Sequence, residues 1–181
     1  MSGVPVPASA PGPASPRAGF ARWRVPIGFA AASLVLWLAR PTALSLQIGL
    51  PIALLGQALR IWAAGHLEKS REVTTSGPYR FTRHPLYLGS TLMGVGLTIA
   101  ARHWIVAVLI AAYLAITLWT AIRTEEAYLR ATFGDAYDRY AGGSQPTASR
   151  RFAVERALRN KEYRAPLGLL AISAYLIWRS L

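Results

Sequence analysis

Two polar stretches interrupt an otherwise apolar sequence, and they hold most of its chemistry-bearing side chains. Residues 71–87 read REVTTSGPYRFTRHPLY and residues 123–140 read RTEEAYLRATFGDAYDRY. In the first, Ser76-Gly77-Pro78 is a turn, and His84-Pro85 sets a proline at a helix start, where its missing N–H costs nothing. Tyr79 and Tyr87 can offer ring faces to a cation, and His84 can hydrogen-bond polar groups. The second stretch carries Glu125 and Glu126, two of only eight acids in the chain. Adjacent on a helix, they point about 100° apart, so only one can readily face a given pocket. Glu126 and Arg130 have the i,i+4 spacing of a helical ion pair. Carboxylates this near to apolar sequence are costly at membrane depth and by default carry a function. On spacing alone the first stretch reads equally as a basic loop beside a membrane, and the second as a solvated helix.

Composition narrows what could position these groups. Of 181 residues, 53% are hydrophobic and 15% charged, too apolar for an ordinary soluble domain. The formal charge of +12 raises nucleic acid as a partner. The basic residues punctuate long apolar runs instead of forming a stripe on a polar surface, so no nucleic-acid partner is expected. There is no cysteine, and His66, His84 and His103 lack a paired ligand spacing, so no metal site is expected.

The elements follow from the apolar runs. Five helices are expected: Val25 to Ala39, Pro41 to Leu59, Leu86 to Ala101, His103 to Ile122 and Ala165 to Trp178. The second and fourth approach the ~20 residues that cross ~30 Å of hydrocarbon, and the others are shorter. The fold class is thus all-α, an integral membrane bundle of about five transmembrane helices, over residues 23–181. Residues 1–22 read as a disordered Pro/Ala-rich tail, with no basic segment ahead of an apolar run as a signal peptide has. Pro51, with Gly49 and Gly56, predicts a bend in the second helix. Gly89, Gly94 and Gly96 predict a smooth side on the third. Arg60 lies within the second helix near its end, where it can snorkel. Sixteen of the twenty basic residues fall before the first helix, between the second and third, or from Arg123 to Arg164; only Arg40, Arg102 and Arg179 fall on the opposite side. A multi-pass protein with its N-terminus and both long loops in the cytoplasm follows, with the C-terminus outside. Trp23, Trp62, Trp104 and Trp178 sit near expected helix ends, as an interfacial aromatic belt requires.

SGPYRFTRHPLYLG, followed about 35 residues later by RTEEAYLRATFGDAYDRY, resembles the isoprenylcysteine carboxyl methyltransferase family, a relative of the phospholipid N-methyltransferases. The likeness covers roughly Ile61 to Tyr140, and the joint spacing of the two halves is more specific than either alone. It implies a small membrane methyltransferase that binds S-adenosylmethionine at the cytoplasmic ends of its helices. Carried over position by position, Arg71, Glu72, Val73 and Thr74 correspond to a cofactor-lining segment and Tyr79 to the tyrosine after the turn. His84, Pro85, Leu86 and Tyr87 correspond to the HPxY cofactor contact. Glu125 corresponds to the cofactor-binding acid, with Glu126 as the alternative by one register. The family's substrate-facing arginine lies a turn before its glutamate; here Arg123 is two residues before Glu125, and it is the candidate catalytic side chain.

Methyl transfer from a sulfonium is a direct displacement that depends on alignment and exclusion of water, so it needs neither a triad nor a metal. The expected partners are membrane lipids and a lipophilic acceptor, prenyl- or lipid-like, entering from the bilayer. A phospholipid N-methyltransferase is the alternative within the same chemistry. Outside it stand a non-enzymatic membrane scaffold and, less favoured for so short a chain, a membrane reductase. Binding of S-adenosylmethionine separates the first two readings from the scaffold.

Overall fold

Apolar runs punctuated by Gly, Pro and short polar loops produce helices throughout. The computed structural model describes residues 32–69, 71–144, 146 and 148–181, and among these there is no strand. Residues 32–38 are helical; the rest of the first expected helix, save Ala39, and the tail over residues 1–22 lie outside the described residues. The further helices are α1 (Ala43–Ala64), α2 (Pro85–Ala101), α3 (Trp104–Phe133), α4 (Asp135–Ala141), α5 (Val154–Arg159) and α6 (Arg164–Arg179), with a 3-10 turn over Gly77–Arg80.

Two of these, α1 with 22 residues and α3 with 30, are long and apolar enough to cross a membrane. With 17 and 16 residues, α2 and α6 rise only about 25 Å, short of the ~30 Å hydrocarbon core. The apolar part of α3 is almost entirely unburied, leaving Val108, Tyr113, Ile116 and Trp119 exposed. A surface of that kind is paid for in water and costs nothing in lipid. Contrary to the expected end at Ile122, α3 continues to Phe133. Residues 123–133 contain no Gly or Pro, and nothing breaks the helix before Gly134. Its full length is about 45 Å, so roughly 15 Å projects beyond a hydrocarbon core.

The core is the contact of α1 with α2. A Cβ on Gly49 would meet Ala100 N and Gly96 O at 2.5 Å, and one on Gly56 would meet Gly89 O and Met93 N at 2.6 Å. A Cβ on Gly96 would lie 2.4 Å from Ala53 N. These residues therefore let two backbones touch, which is how helices associate where no hydrophobic force separates protein from solvent. Gly49 and Gly56 thus pack against α2, and α1 runs helical through Pro51. Gly94 departs from the expected single smooth side, because its Cβ would strike Leu114 of α3 at 2.4 Å. Two residues from Gly96 is about 200° around a helix, so the two cannot share a face.

At its start α1 is held by a reciprocal capping box between Thr42 and Ser45. Ser45 Oγ also donates to Ala100 O at 3.0 Å, and Arg40 N donates to Ala101 O at 2.8 Å. Arg179 reaches Ala39 O at 2.9 Å and Trp37 O at 3.0 Å. Arg40, Arg102 and Arg179 accordingly collect at one end of the unit that runs from Leu36 to Leu181. At the other end His84, leading α2, meets Glu126 of α3, while Asn160 Nδ2, leading toward α6, donates to Ala64 O at 3.0 Å. Every long polar loop lies at that second end.

Candidate functional site

The loop that leaves α1 must return to start α2, and three devices shape its path. Thr74 Oγ1, buried, accepts from Glu68 N at 3.3 Å. Ser76 begins the 3-10 turn that buries Pro78 and Tyr79. His84, at φ −129° and ψ 56°, then precedes Pro85 at the first position of α2, where the proline's missing N–H costs nothing.

This path puts the two polar stretches face to face. His84 Nε2 and Glu126 Oε1 are 3.2 Å apart, and Arg83 Nη1 lies 3.7 Å from the same oxygen. The His84 and Tyr87 rings stack with centroids 5.7 Å apart. Glu125 comes within hydrogen-bonding reach of the Tyr87 hydroxyl. Each glutamate therefore has its own partner in the HPLY turn, although a 100° separation suggested that only one would be used. Arg130 does not take the i,i+4 partner; its nearest carboxylate is Asp138, at 3.4 Å.

The reversal that makes this possible is Gly134, at φ 48° and ψ −124°, a conformation open essentially to glycine alone. It turns α4 back on α3, so that Arg130 lies over the Tyr137 ring and Tyr140 Oη donates to Tyr79 O at 2.8 Å. Burial, and secondarily the charge of Glu125, hold the Tyr79 hydroxyl far above its usual pKa. Burial, then Tyr137 and Glu125, push Tyr140 up to about 12. Both phenols keep their protons through the neutral range, so they serve as ring faces and neutral donors and not as bases. Among the described residues five buried polar atoms have no protein partner: His84 Nδ1, Ser76 Oγ, Tyr137 Oη and Gln57 Oε1 on this side, and His103 Nδ1 ahead of α3 at the opposite end. Orphaned groups gathered at one end of a bundle are those a bound polar ligand would satisfy.

The remaining sequence-derived candidates are placed less centrally. Arg71 is exposed; Glu72 pairs with Arg150 at 2.5 Å; Val73 is half-buried. Pro85 is buried, and Leu86 O accepts from Arg60. Arg123 is exposed and lies over the Trp119 ring at 4.6 Å, outside the cluster around Glu125.

Sequence reasoning missed Arg60 and Glu162. Arg60 does not snorkel: its guanidinium meets both oxygens of the buried Glu162, at 2.8 and 2.9 Å. Glu162 carried the signal that singled out Glu125, an acid beside an apolar run in a chain poor in acids. It belongs to a segment, residues 148–163, that lies across the loop after α1. Ala153 N donates to Gly65 O at 3.1 Å, Arg150 Nη1 donates to His66 O at 3.3 Å, and Phe152 covers Gly65 and the His66 ring.

The motif pair and its meeting point are the features a family comparison can test. A family model described as phospholipid methyltransferase matches residues 44–136, more than half of the chain and both polar stretches as far as Ala136. The chain belongs to the phospholipid methyltransferase family. Among curated relatives, it is 33% identical to the cobalt-zinc-cadmium resistance protein CzcN of Cupriavidus metallidurans, over 61% of this chain and 55% of that protein. It is 32% identical to the protein-S-isoprenylcysteine O-methyltransferase of Schizosaccharomyces pombe, over 47% of this chain and 36% of that protein. Identity to the nickel-cobalt-cadmium resistance protein NccN of Alcaligenes xylosoxydans xylosoxydans is 29%, over 66% of this chain and 59% of that protein. The chain thus spans less than two thirds of each of these relatives. No solved structure matches it.

Proposed function

We propose that this protein is an integral membrane methyltransferase that takes a methyl group from S-adenosylmethionine and passes it to a lipophilic acceptor, prenyl- or lipid-like, drawn from the bilayer. The observation that carries the reading is the meeting of the HPLY turn with the Glu125-Glu126 pair at one end of the bundle, with His84 Nε2 at 3.2 Å from Glu126. Family membership and the resemblance to isoprenylcysteine methyltransferases agree with it.

The residues present fit the cofactor. Glu125 can accept from its ammonium or ribose hydroxyls, the unpartnered Ser76 Oγ and His84 Nδ1 offer further polar contacts, and Tyr79 and Tyr87 offer ring faces to its cation. When bound, S-adenosylmethionine supplies an activated methyl group on a sulfonium. The chain's part is to hold that group and the acceptor in line and to exclude water. Arg123, exposed on α3 above Trp119, meets the head of an acceptor as it leaves the bilayer. Two relatives bear metal-resistance names, but among the described residues no group of three or more His, Cys, Asp or Glu side chains could hold a metal ion.

In the bilayer we read five crossings, with the polar-loop end cytoplasmic and the end bearing Arg40, Arg102 and Arg179 outside. The helices α2 and α6 then cross where the protein thins the hydrocarbon locally or where flanking arginines reach the interface. Reporter fusions at residue 70, residue 145 and the C-terminus should report inside, inside and outside; a cytoplasmic C-terminus removes the fifth crossing. The activity is tested by incubating the purified protein with methyl-labelled S-adenosylmethionine and a membrane lipid extract. Label is expected in a lipid-soluble product. Retention of the cofactor without any labelled product would leave a binding scaffold instead.

A further inference from the structure

The family match ends at Ala136, 26 residues before Glu162, so nothing in it gives the C-terminal segment a role. Glu162 is nevertheless among the most buried charged residues described, at 7% exposure. It enters between α5 and α6 and takes two hydrogen bonds from Arg60 and a third, at 3.4 Å, from Gln57 Nε2. The other side of the Arg60 guanidinium faces α2: Nη1 donates to Leu86 O at 3.5 Å and to Ser90 Oγ. Leu86 belongs to the HPLY turn itself, and Ser90 is one helical turn beyond it. One guanidinium thus joins α1, the first turns of α2 and the C-terminal segment.

A buried ion pair contributes little net stability, because desolvation offsets most of the attraction, whereas its fixed fork geometry specifies orientation. Loss of the carboxylate would leave Arg60 free to swing from Leu86 and Ser90, and the turn carrying His84 and Tyr87 would lose its reference to α1. We propose that Glu162 is a positioning residue for the candidate site. Through Arg60 it sets the rotation and depth of the HPLY turn against Glu125 and Glu126, and the segment from residue 148 to 163 is the clasp that delivers it. The inference rests on the site assignment made above.

The test compares Glu162→Gln and Arg60→Lys with Arg179→Ala, in the full chain purified into nanodiscs. Arg179→Ala cuts hydrogen bonds to Ala39 O and Trp37 O at the opposite end, and so controls for a mere loss of stability. Two quantities are read well below each variant's melting temperature: the Kd for S-adenosylmethionine, and amide hydrogen exchange over residues 86–90. Glu162→Gln and Arg60→Lys are expected to weaken binding roughly tenfold and speed that exchange, while Arg179→Ala lowers the melting temperature and changes neither. Equal losses of affinity in all three variants, or unchanged exchange over 86–90 in both site variants, overturn the proposal. If the unmodified protein binds no S-adenosylmethionine, the proposed function fails, and the exchange measurement still decides whether Glu162 holds the turn. Should Glu162→Gln fail to fold, Arg60→Lys, which keeps the charge and loses the fork, gives the same two readings.

Discussion

Alanine at His84 or at Glu125 is expected to weaken S-adenosylmethionine binding by roughly 10- to 100-fold, the cost of one charge-assisted contact of about 1.5–3 kcal/mol. Neither side chain is part of the α1–α2 core, which is built from Gly49, Ala53, Gly56, Gly89 and Gly96, so both variants should fold. Their local consequences differ. His84→Ala removes the ring stacked on Tyr87 and leaves Glu126 with Arg83, whereas Glu125→Ala leaves the Tyr87 hydroxyl without its acid. Titration calorimetry on the reconstituted variants measures the effect. Glu126→Ala decides the register: a loss there with unchanged binding in Glu125→Ala would make Glu126 the cofactor's acid. Unchanged affinity in both the His84 and Glu125 variants, at normal expression, would sink the site.

The second large effect is in the pH dependence of turnover at saturating cofactor. A carboxylate acceptor has a pKa of about 3.3–4.3 and is ionised throughout the neutral range, so turnover should be nearly flat from about pH 6.5 to 8.5. A primary amine resembling lysine has a pKa near ~10.4 and must first lose a proton, so turnover should climb by up to tenfold per unit. The site sharpens this contrast. Tyr79 and Tyr140 are held protonated by burial, Tyr140 up to about 12, and neither can relieve an ammonium of its proton near neutrality. The flat profile is the expected outcome, because an anion suits Arg123 and the basic loops better than a cation does. A steep alkaline rise in the chemistry-limited rate, with full activity in Arg123→Ala, would reassign the acceptor to an amine lipid.

How much of this was legible in the sequence depends on how local each cause is. Helix formation is local. The apolar runs gave α2 and α6 to within a residue at each end, whereas α1 and α3 continue past the expected Leu59 and Ile122 to Ala64 and Phe133, because those expected ends stopped at the first charge and the helices stop at the first breaker, Gly65 and Gly134. The two polar stretches were found for a similar reason, since motif spacing and the scarcity of acids are properties of the chain alone. The charge count set Arg40, Arg102 and Arg179 apart from the other loop cations, and the fold gathers those three at one end, while the number of crossings and their orientation stay with the reporter fusions.

Pairing is not local. Two glutamates 100° apart on a helix could be assigned one pocket from sequence, and only the fold of the loop brought a separate partner to each, His84 to Glu126 and Tyr87 to Glu125. Gly94 and Gly96 look alike in the sequence, yet they face different helices, because the faces of α2 are defined by what packs on them. Arg60 and Glu162 are 102 residues apart. Their contact exists because antiparallel packing brings the end of α1 to the start of α6, and a buried carboxylate must find its cation among the groups that share its space.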